Sequence, residues 1–285
     1  MACANLSLNE VLTKLAGGGS RLLAGGTDYY PGLNDGAPSD NLIDLRSVEG
    51  LGVIENLGGV WRIGAAATWS DIINATLPAC FGCLQQAGRE VGSVQIQNSA
   101  TVAGNICNAS PAADGVPALL VLNAQIEVSS TTGKRLLPLS DFITGVRKID
   151  LSSNELVTAI VIPDGLSTDC SEFIKLGARS YLVISIVMCA SRIKVDSDNV
   201  ITEAAIAVGA CSPVAKRLSE LEHDLVGQSC NDVLWHQAMD ARYFDQLAPI
   251  DDVRASAKYR LQALGILLQR QLDSIRKRII AGKAS

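Results

Sequence analysis

The chain has 285 residues, of which 48% are apolar and 19% charged, a composition typical of a globular protein large enough for two domains. Its 29 acidic and 24 basic side chains give a formal charge of −5, which excludes a basic footprint for nucleic acid. No apolar stretch approaches the ~20 residues of a membrane span, and the first residues lack the pattern of a signal peptide. We therefore expect a cytoplasmic protein that does not bind nucleic acid and has no membrane span.

The N-terminal segment predicts a small α/β lobe. Ser7 and Glu10 have the spacing of a capping box, so we expect a helix that begins there and ends at the three following glycines. An apolar run at 21–24 predicts a buried strand leading directly into Gly25-Gly26-Thr27-Asp28, and residues 42–45 predict a second strand.

A second lobe begins near residue 51. Alternating side chains predict a strand over 60–65, and Thr68 with Asp71 predicts a capped helix after it. The remaining elements of this lobe are a helix over 113–122 and strands over 124–128 and 156–162.

The polar stretch 164–169 predicts a domain boundary. Beyond it we expect strands over 173–176, 183–195 and 200–208, the last two joined by a hairpin turn. Apolar residues at steps of three and four from 257 to 279 predict one long helix. We expect its apolar face to pack on the sheet of its own domain, and a partner-facing helix stays an alternative.

Eight cysteines raise the possibility of disulfides or a metal site. Disulfide frameworks belong to short secreted chains, and two histidines are few for a Cys/His zinc site. Cys80 and Cys83 form a single C-x-x-C pair, while the other cysteines are scattered. We expect buried, reduced thiols and no metal in this chain, with a metal or redox role for the pair as the minor alternative.

The motifs of several common enzyme classes are missing. The sequence has no G-x-S-x-G, H-E-x-x-H, Walker or G-x-G-x-x-G pattern, so it does not indicate a triad hydrolase, zincin, P-loop NTPase or ordinary Rossmann dehydrogenase.

Two segments rich in small residues are unusual for a folded core. Residues 22–29 place two glycines and a threonine after a strand, where the backbone can turn sharply and its N–H groups can face an anion. Residues 101–114 form a loop with two asparagines, a Ser-Pro pair and Asp114, which suits a polar, extended ligand such as a nucleotide. Either segment alone is also compatible with an ordinary turn.

As a pair, the two segments resemble a known family. A-G-G-T-D after a strand, then T-x-[GA]-G-N-x-x-x-A-S-P-x-x-D about 75 residues later, resembles the FAD-binding subunit of molybdenum hydroxylases, the group of xanthine dehydrogenase, carbon monoxide dehydrogenase and aldehyde oxidase. Residues 155–163, 173–179 and 252–260 are similar to further signatures of this family.

The resemblance implies an α+β fold. It implies a two-lobed FAD-binding domain over 1–165, with a small α/β lobe at about 1–50 and a larger mixed lobe over 51–165. A C-terminal domain over 166–285 would hold a small antiparallel sheet with helices.

The resemblance also assigns cofactor-binding residues, and no catalytic or metal-binding ones. The first segment would wrap the FAD diphosphate with backbone amides, and the second would form another wall of the same site. Asp114 would hydrogen-bond the cofactor, Val157 would lie against it, and Lys175 would lie near the isoalloxazine, where a cation favours the anionic reduced flavin. The implied residues are Leu22, Leu23, Ala24, Gly25, Gly26, Thr27, Asp28, Tyr29, Thr101, Val102, Ala103, Gly104, Asn105, Asp114, Val157 and Lys175.

For two of these residues an alternative without a cofactor stays open. Lys175 is also compatible with an exposed strand lysine, and Asp114 with charge compensation in the first turn of a helix. The sequence departs from the family pattern at Ala103, where glycine is usual, and at Gln97, which replaces the arginine of a common Ile-Arg-Asn and so removes a positive charge. A methyl group at Ala103 is tolerable if φ is negative there.

The function implied is electron transfer by FAD. A large partner subunit would carry the molybdenum cofactor and a small partner the [2Fe–2S] clusters, in a dimer of heterotrimers that reduces NAD or another acceptor. One alternative is a stand-alone flavin oxidoreductase, for which Tyr29, Tyr181 and Glu155 are the candidate proton-transfer residues. The other is a partner subunit that has lost FAD.

Overall fold

A computed structural model describes residues 6–34, 36–166, 169–230 and 240–282. The chain folds into two compact units, each assembled from three stretches of sequence. The first unit consists of the described residues of Met1–Ala75, Gly92–Ala109 and Asn123–Asp164. The second consists of those of Thr76–Val91, Ser110–Leu122 and Gly165–Ser285.

The secondary structure is mixed. The strands are β1 (Arg21–Leu23), β2 (Leu42–Asp44), β3 (Ile54–Asn56), β4 (Val60–Gly64), β5 (Gln125–Ser130), β6 (Gly133–Pro138), β7 (Ile143–Gly145), β8 (Lys148–Ile149), β9 (Leu156–Pro163), β10 (Cys170–Leu176), β11 (Val187–Val195), β12 (Ile201–Gly209) and β13 (Lys216–Arg217). The helices are α1 (Leu8–Ala16), α2 (Tyr29–Gly32), α3 (Trp69–Asn74), α4 (Gly82–Glu90), α5 (Val94–Gln97), α6 (Val102–Cys107), α7 (Gly115–Val121), α8 (Leu139–Phe142), α9 (Ser219–Leu225) and α10 (Ala257–Gly282). Short 3-10 turns lie at Leu45–Ser47, Ala79–Phe81, Asp164–Leu166 and Ala241–Phe244.

The first unit holds a small parallel pair and a larger antiparallel sheet. β1 pairs with β2 in parallel, and α1 packs its buried face against this region. The predicted capping box is confirmed, since the Ser7 hydroxyl accepts from the Glu10 backbone N–H and the Glu10 carboxylate accepts from the Ser7 backbone N–H. The larger sheet has the order β3-β4-β9-β5-β6, which makes β9 its central strand.

The second unit is a four-stranded antiparallel sheet of order β10-β11-β12-β13 covered by helices. The hairpin turn between β11 and β12 lies where it was predicted, with Asn199 at φ +64°. The long helix α10 packs on β10 and β11, so its predicted apolar face meets its own sheet. Helices α4 and α7 also pack on this sheet, so both belong to the second unit.

Three sequence predictions differ from the structure. The strand expected at 21–24 ends at Leu23, which is also its only buried residue. The segment 101–114, expected as a loop, contains helix α6, because the Thr101 hydroxyl caps its N-terminus. The strand expected from 183 begins only at Val187, because the pairing with β10 ends where Leu176 lies opposite Val187.

The α+β fold class is confirmed, while the predicted domain limits stay a prediction. Packing groups α4 and α7 with the C-terminal sheet, although both lie within the sequence range 1–165. Of the predicted boundary 164–169, residues 167 and 168 lie outside the described residues. Within the described ranges, no helix is both long and apolar enough to cross a bilayer.

Candidate cofactor site

The first glycine segment lies directly against the backbone that precedes the second. A Cβ atom at Gly25 would overlap the carbonyl oxygen of Ser99 and lie 2.8 Å from the Cα of Ala100. Only glycine permits this approach, because backbone atoms cannot move aside as a flexible side chain can. Both segments therefore meet within the first unit, although they are far apart in sequence.

Local contacts fix the turn that follows Gly25. Gly26 has a φ of +70°, and a Cβ there would lie 2.6 Å from the Tyr30 ring. The Gly26 carbonyl accepts a hydrogen bond from the Tyr30 N–H at 3.0 Å. The Tyr29 hydroxyl accepts one from the Ser39 N–H at 2.9 Å. These contacts hold the segment in one shape.

The second segment is held from both sides. The Ala100 carbonyl accepts from the Trp69 N–H at 3.0 Å, and the Val102 N–H donates to the Ala67 carbonyl at 3.1 Å. The Thr101 hydroxyl accepts from the Gly104 N–H at 2.9 Å. A Cβ at Gly104 would lie 2.8 Å from this hydroxyl, so glycine is also required here.

Residues within α6 fit a polar ligand. Ala103 is 4% exposed and is not among the residues with positive φ, so the methyl group at the departure from the family pattern is accommodated. The Oδ1 atom of Asn105 is buried and has no hydrogen-bond partner among the described residues. A buried, unpaired acceptor costs about 1–3 kcal/mol, so this amide is suited to a donor that the chain itself does not supply.

Val157 lies in the central strand of the first unit. It is buried on β9 opposite Val128, where a bulge interrupts the pairing with β5. Helix α6 packs against β9. The predicted residues Leu22–Tyr29, Thr101–Asn105 and Val157 thus all belong to this unit.

Asp114 and Lys175 belong to the second unit, where they form a buried ion pair. The Lys175 Nζ lies 2.9 Å from the Asp114 Oδ2, and the two side chains are 5% and 10% exposed. The Lys175 ammonium also donates to the carbonyls of Glu90 at 3.2 Å and Val183 at 3.3 Å. The alternative of an exposed strand lysine is therefore wrong.

The Asp114 carboxylate uses both of its oxygens. Oδ1 accepts a hydrogen bond from the Ser185 hydroxyl at 2.6 Å, and Oδ2 faces the Lys175 ammonium. Burial raises the pKa of Asp114 above its usual value, while Lys175 and the Ser185 hydroxyl oppose this rise. Asp114 is the N-cap residue of α7 but makes no side-chain cap there; its hydrogen bonds go to Lys175 and Ser185 instead.

Sequence reasoning missed two residues that shape these segments. Ser185 lacks any motif, and only its contact with Asp114 reveals it. Arg147, between β7 and β8, donates from its backbone N–H to the Ala109 carbonyl at 2.9 Å and from its guanidinium to the Asn108 carbonyl at 3.1 Å. It thereby holds the end of α6, a contact that no local pattern signals.

The C-x-x-C pair is buried in the second unit. Burial raises the pKa of Cys80 to about 12 and that of Cys83 to about 11. Both thiols are therefore protonated near neutral pH, whereas metal binding and disulfide exchange need the thiolate. Across the described ranges, no three His, Cys, Asp or Glu side chains are grouped closely enough to hold a metal ion. The prediction of buried thiols is confirmed for this pair.

The third family signature, 252–260, anchors the start of α10. Asp252 accepts from the Arg254 N–H at 2.8 Å and pairs with the Arg260 guanidinium at 2.7 Å. Arg260 is buried and also donates to the carbonyls of Ile186 and Ala210. The backbone N–H of Arg254, helped by the nearby guanidinium groups, lowers the pKa of Asp252 to about 2.

Comparison with known proteins decides the family. Residues 3–165 match the family described as the FAD binding domain in molybdopterin dehydrogenase, and residues 172–275 match the CO dehydrogenase flavoprotein C-terminal domain. The chain belongs to this family. It is an FAD-binding oxidoreductase subunit of the molybdenum hydroxylases, with FAD as its cofactor. The resemblance inferred from the two glycine-containing segments is thereby confirmed.

Relatives of this flavoprotein subunit share its length and fold. It is 31% identical to the glyceraldehyde dehydrogenase medium chain of Sulfolobus acidocaldarius, covering 94% of this chain and 95% of that one. It is 32% identical to the nicotinate dehydrogenase FAD-subunit of Eubacterium barkeri, covering 72% and 71%. A chain of the carbon monoxide dehydrogenase from Hydrogenophaga pseudoflava superposes with a TM-score of 0.85 at 25% identity, covering 95% of each chain.

Proposed function

We propose that this subunit transfers electrons through FAD within a cytoplasmic, multi-subunit molybdenum hydroxylase. A small partner would deliver electrons from its [2Fe–2S] clusters, and a large partner with the molybdenum cofactor would oxidise the substrate. The acceptor would be NAD or another oxidant, and the assembly a dimer of heterotrimers. The names of the relatives, a medium chain and an FAD-subunit, support the assignment to one component of such a complex.

One observation carries the proposal: the close approach of Gly25 to the Ser99–Ala100 backbone. It brings a glycine turn after a strand against the backbone that precedes the second segment, and a glycine turn of this kind can hold a diphosphate with its backbone N–H groups. The unpaired Oδ1 of Asn105 adds an acceptor for a polar group of the cofactor. Both features fit FAD, and the Asn105 Oδ1 atom has no hydrogen-bond partner among the described residues.

We assign the binding roles to the residues implied by the family resemblance. Backbone amides of 22–29 would hold the diphosphate, residues 101–105 would form the second wall of the site, and Val157 would contact the cofactor from β9. Asp114 would hydrogen-bond the cofactor, and Lys175 would lie near its isoalloxazine. We place an FAD-binding domain over 1–165 and a C-terminal domain over 166–285. When bound, FAD supplies the conversion between one-electron and two-electron transfer, and the protein supplies binding, orientation and electrostatics.

A stand-alone oxidoreductase would need a proton-transfer residue of its own, and the candidates do not suit that role. Glu155 is paired with the Arg135 guanidinium at 2.8 Å, which lowers the pKa of this carboxyl and makes it a poorer base. The Tyr29 hydroxyl is engaged by the Ser39 N–H, and Tyr181 is 79% exposed. The electron-transfer function is therefore the better supported of the two.

The test is flavin binding by a matched pair of glycine variants. We expect the purified wild-type chain to show absorption bands near ~375 and ~450 nm and to release about one FAD per chain. Gly25→Ala should abolish FAD uptake, because its methyl group overlaps the Ser99 backbone. Gly32→Ala is the control, since a Cβ there meets nothing within 4 Å.

The outcome that counts against the proposal is equally definite. A wild-type chain that holds no flavin and takes up none from excess FAD contradicts it. Equal FAD affinity in Gly25→Ala and Gly32→Ala would show that the site lies elsewhere.

A further inference from the structure

Ser185 contacts the buried ion pair of the second unit. Its hydroxyl donates to the Asp114 Oδ1 at 2.6 Å, while the Lys175 ammonium lies 2.9 Å from the other carboxylate oxygen. Ser185 is 2% exposed, so no water competes for this bond. The carboxylate is thus held at both oxygens, and its plane can rotate only if one bond breaks.

The chain around Ser185 is itself fixed. Lys175 and Ser185 lie on the two sides of one loop, whose neck closes where the Ile186 N–H donates to the Leu176 carbonyl at 2.8 Å. A Cβ at Gly177 would overlap the Val183 side chain, so the two sides pack without a gap. Lys175 and Ser185, the two residues that contact Asp114, therefore both lie where the two sides of the loop are packed together.

We propose that Ser185 is a positioning residue of the cofactor site, because its hydroxyl fixes the Asp114 carboxylate and, through it, the Lys175 ammonium in the arrangement that receives FAD. The inference rests on the proposed function, since the roles of Asp114 and Lys175 toward FAD belong to that proposal. Ser185 itself is assigned no contact with the cofactor.

The charge balance of the pair explains the expected effect. With the hydroxyl present, the carboxylate is stabilised as an anion and offsets the charge of Lys175. Without it, a buried carboxylate oxygen loses its donor, so Asp114 rotates or binds a proton more readily. The ammonium is then less compensated, which favours negative charge on a nearby reduced flavin.

The same sheet offers a matched control. The Ser191 hydroxyl, on β11, donates to the Gln271 Oε1 at 2.6 Å, and both side chains are fully buried. Ser191→Ala therefore removes a buried serine hydroxyl of equal bond length that does not touch Asp114. Any effect of merely losing such a bond will appear in both variants.

The experiment measures FAD binding and flavin potential in the full chain. We expect Ser185→Ala to weaken FAD binding on the order of three- to tenfold, the effect of one lost hydrogen bond, and to shift the flavin midpoint potential to more positive values. Ser185→Thr keeps a hydroxyl and should restore both quantities. Ser185→Cys, a weaker donor of similar size, should fall between them, and Ser191→Ala should match the wild type in both.

The failure of this inference differs from the failure of the proposed function. If the wild-type chain binds FAD but Ser185→Ala and Ser191→Ala have the same affinity and potential, Ser185 is only structural and the inference is overturned. If Ser185→Ala does not fold, unchanged flavin properties in Ser185→Cys overturn it in the same way. A wild-type chain that binds no FAD overturns the proposed function and this inference together.

Discussion

The Asp114–Lys175 pair shows how burial changes the meaning of a single residue. A lone lysine beside a flavin would act as a positive charge, but the Lys175 charge is offset by the Asp114 carboxylate, and its ammonium also donates to two carbonyls. A buried pair contributes the field of a dipole, which falls off faster than that of an ion. If the pair lies beside FAD as proposed, its electrostatic influence on the flavin depends on how the pair is oriented, and not on Lys175 alone.

The contribution of this pair to the free energy of unfolding is testable by removing one partner. Lys175→Met leaves the Asp114 carboxylate buried without its counter-ion, so we expect a loss of about 3–5 kcal/mol in the free energy of unfolding. The double variant Asp114→Asn with Lys175→Met should recover most of that loss, because no charge is then left unpaired. Urea unfolding of the single and double variants measures both values. A double variant less stable than Lys175→Met would contradict this explanation.

Single residues also show what the sequence can and cannot predict. Gly25 and Gly26 could be found from the sequence only together with the second segment, because two glycines after a strand are also compatible with an ordinary turn. The reason for Gly25, however, is the Ser99 backbone, and no local pattern shows that these two residues meet. Ser185 was missed for the same reason, since its partner lies 71 residues away.

Among the secondary-structure elements, α10 is held against the sheet of its own unit by apolar side chains along its length. Leu264, Leu268 and Leu272 are fully buried against the sheet of the second unit, while Ile266 on the same helix is 45% exposed. The apolar spacing alone predicted this helix and its buried face, because steps of three and four residues place side chains on one side. Helix α6 was not predicted, because it is short and its few apolar residues show no such period.

Core packing of α10 predicts unequal effects of two similar substitutions. Leu272→Ala removes a fully buried side chain, so we expect a loss of about 2–5 kcal/mol in the free energy of unfolding. Ile266→Ala, on the exposed side, should change it by about 0.5 kcal/mol or less. Chemical denaturation of both variants tests the orientation of the helix. Similar losses for the two would show that the helix is rotated from the arrangement described.

The contacts of Asp252 at the start of α10 predict that the free energy of unfolding depends on pH in the acid range. Because the pKa of Asp252 is lowered to about 2, its ionised form stabilises the fold fully above its usual pKa of ~3.9. This contribution is lost as the pH falls from about 4 to about 2. Asp252→Asn should therefore be less stable than the wild type at pH 6, and the difference should shrink toward pH 2. Unfolding curves across this range give the profile, and Asp198→Asn, in an exposed turn, should run parallel to the wild type.

At the scale of the whole molecule, the proposed function requires partner subunits. We expect a complex purified through a tag on this chain, from the organism that encodes it, to contain FAD together with iron and molybdenum. Metal analysis and flavin release on the same sample measure all three, and the chain expressed alone should carry FAD without either metal. A natively purified chain that reduces a substrate without any iron-containing partner would favour the stand-alone oxidoreductase.

The two units alternate along the chain as six stretches, so the polypeptide passes between them five times. Helices α4 and α7, encoded early, cover the sheet built from the later half. A recombination event near residue 165 would therefore separate this sheet from helices that bury its apolar face. Exchange of halves between related genes is disfavoured by such connectivity, and we expect the coding sequence to be inherited as one block, with variation concentrated in single substitutions rather than in shuffled modules.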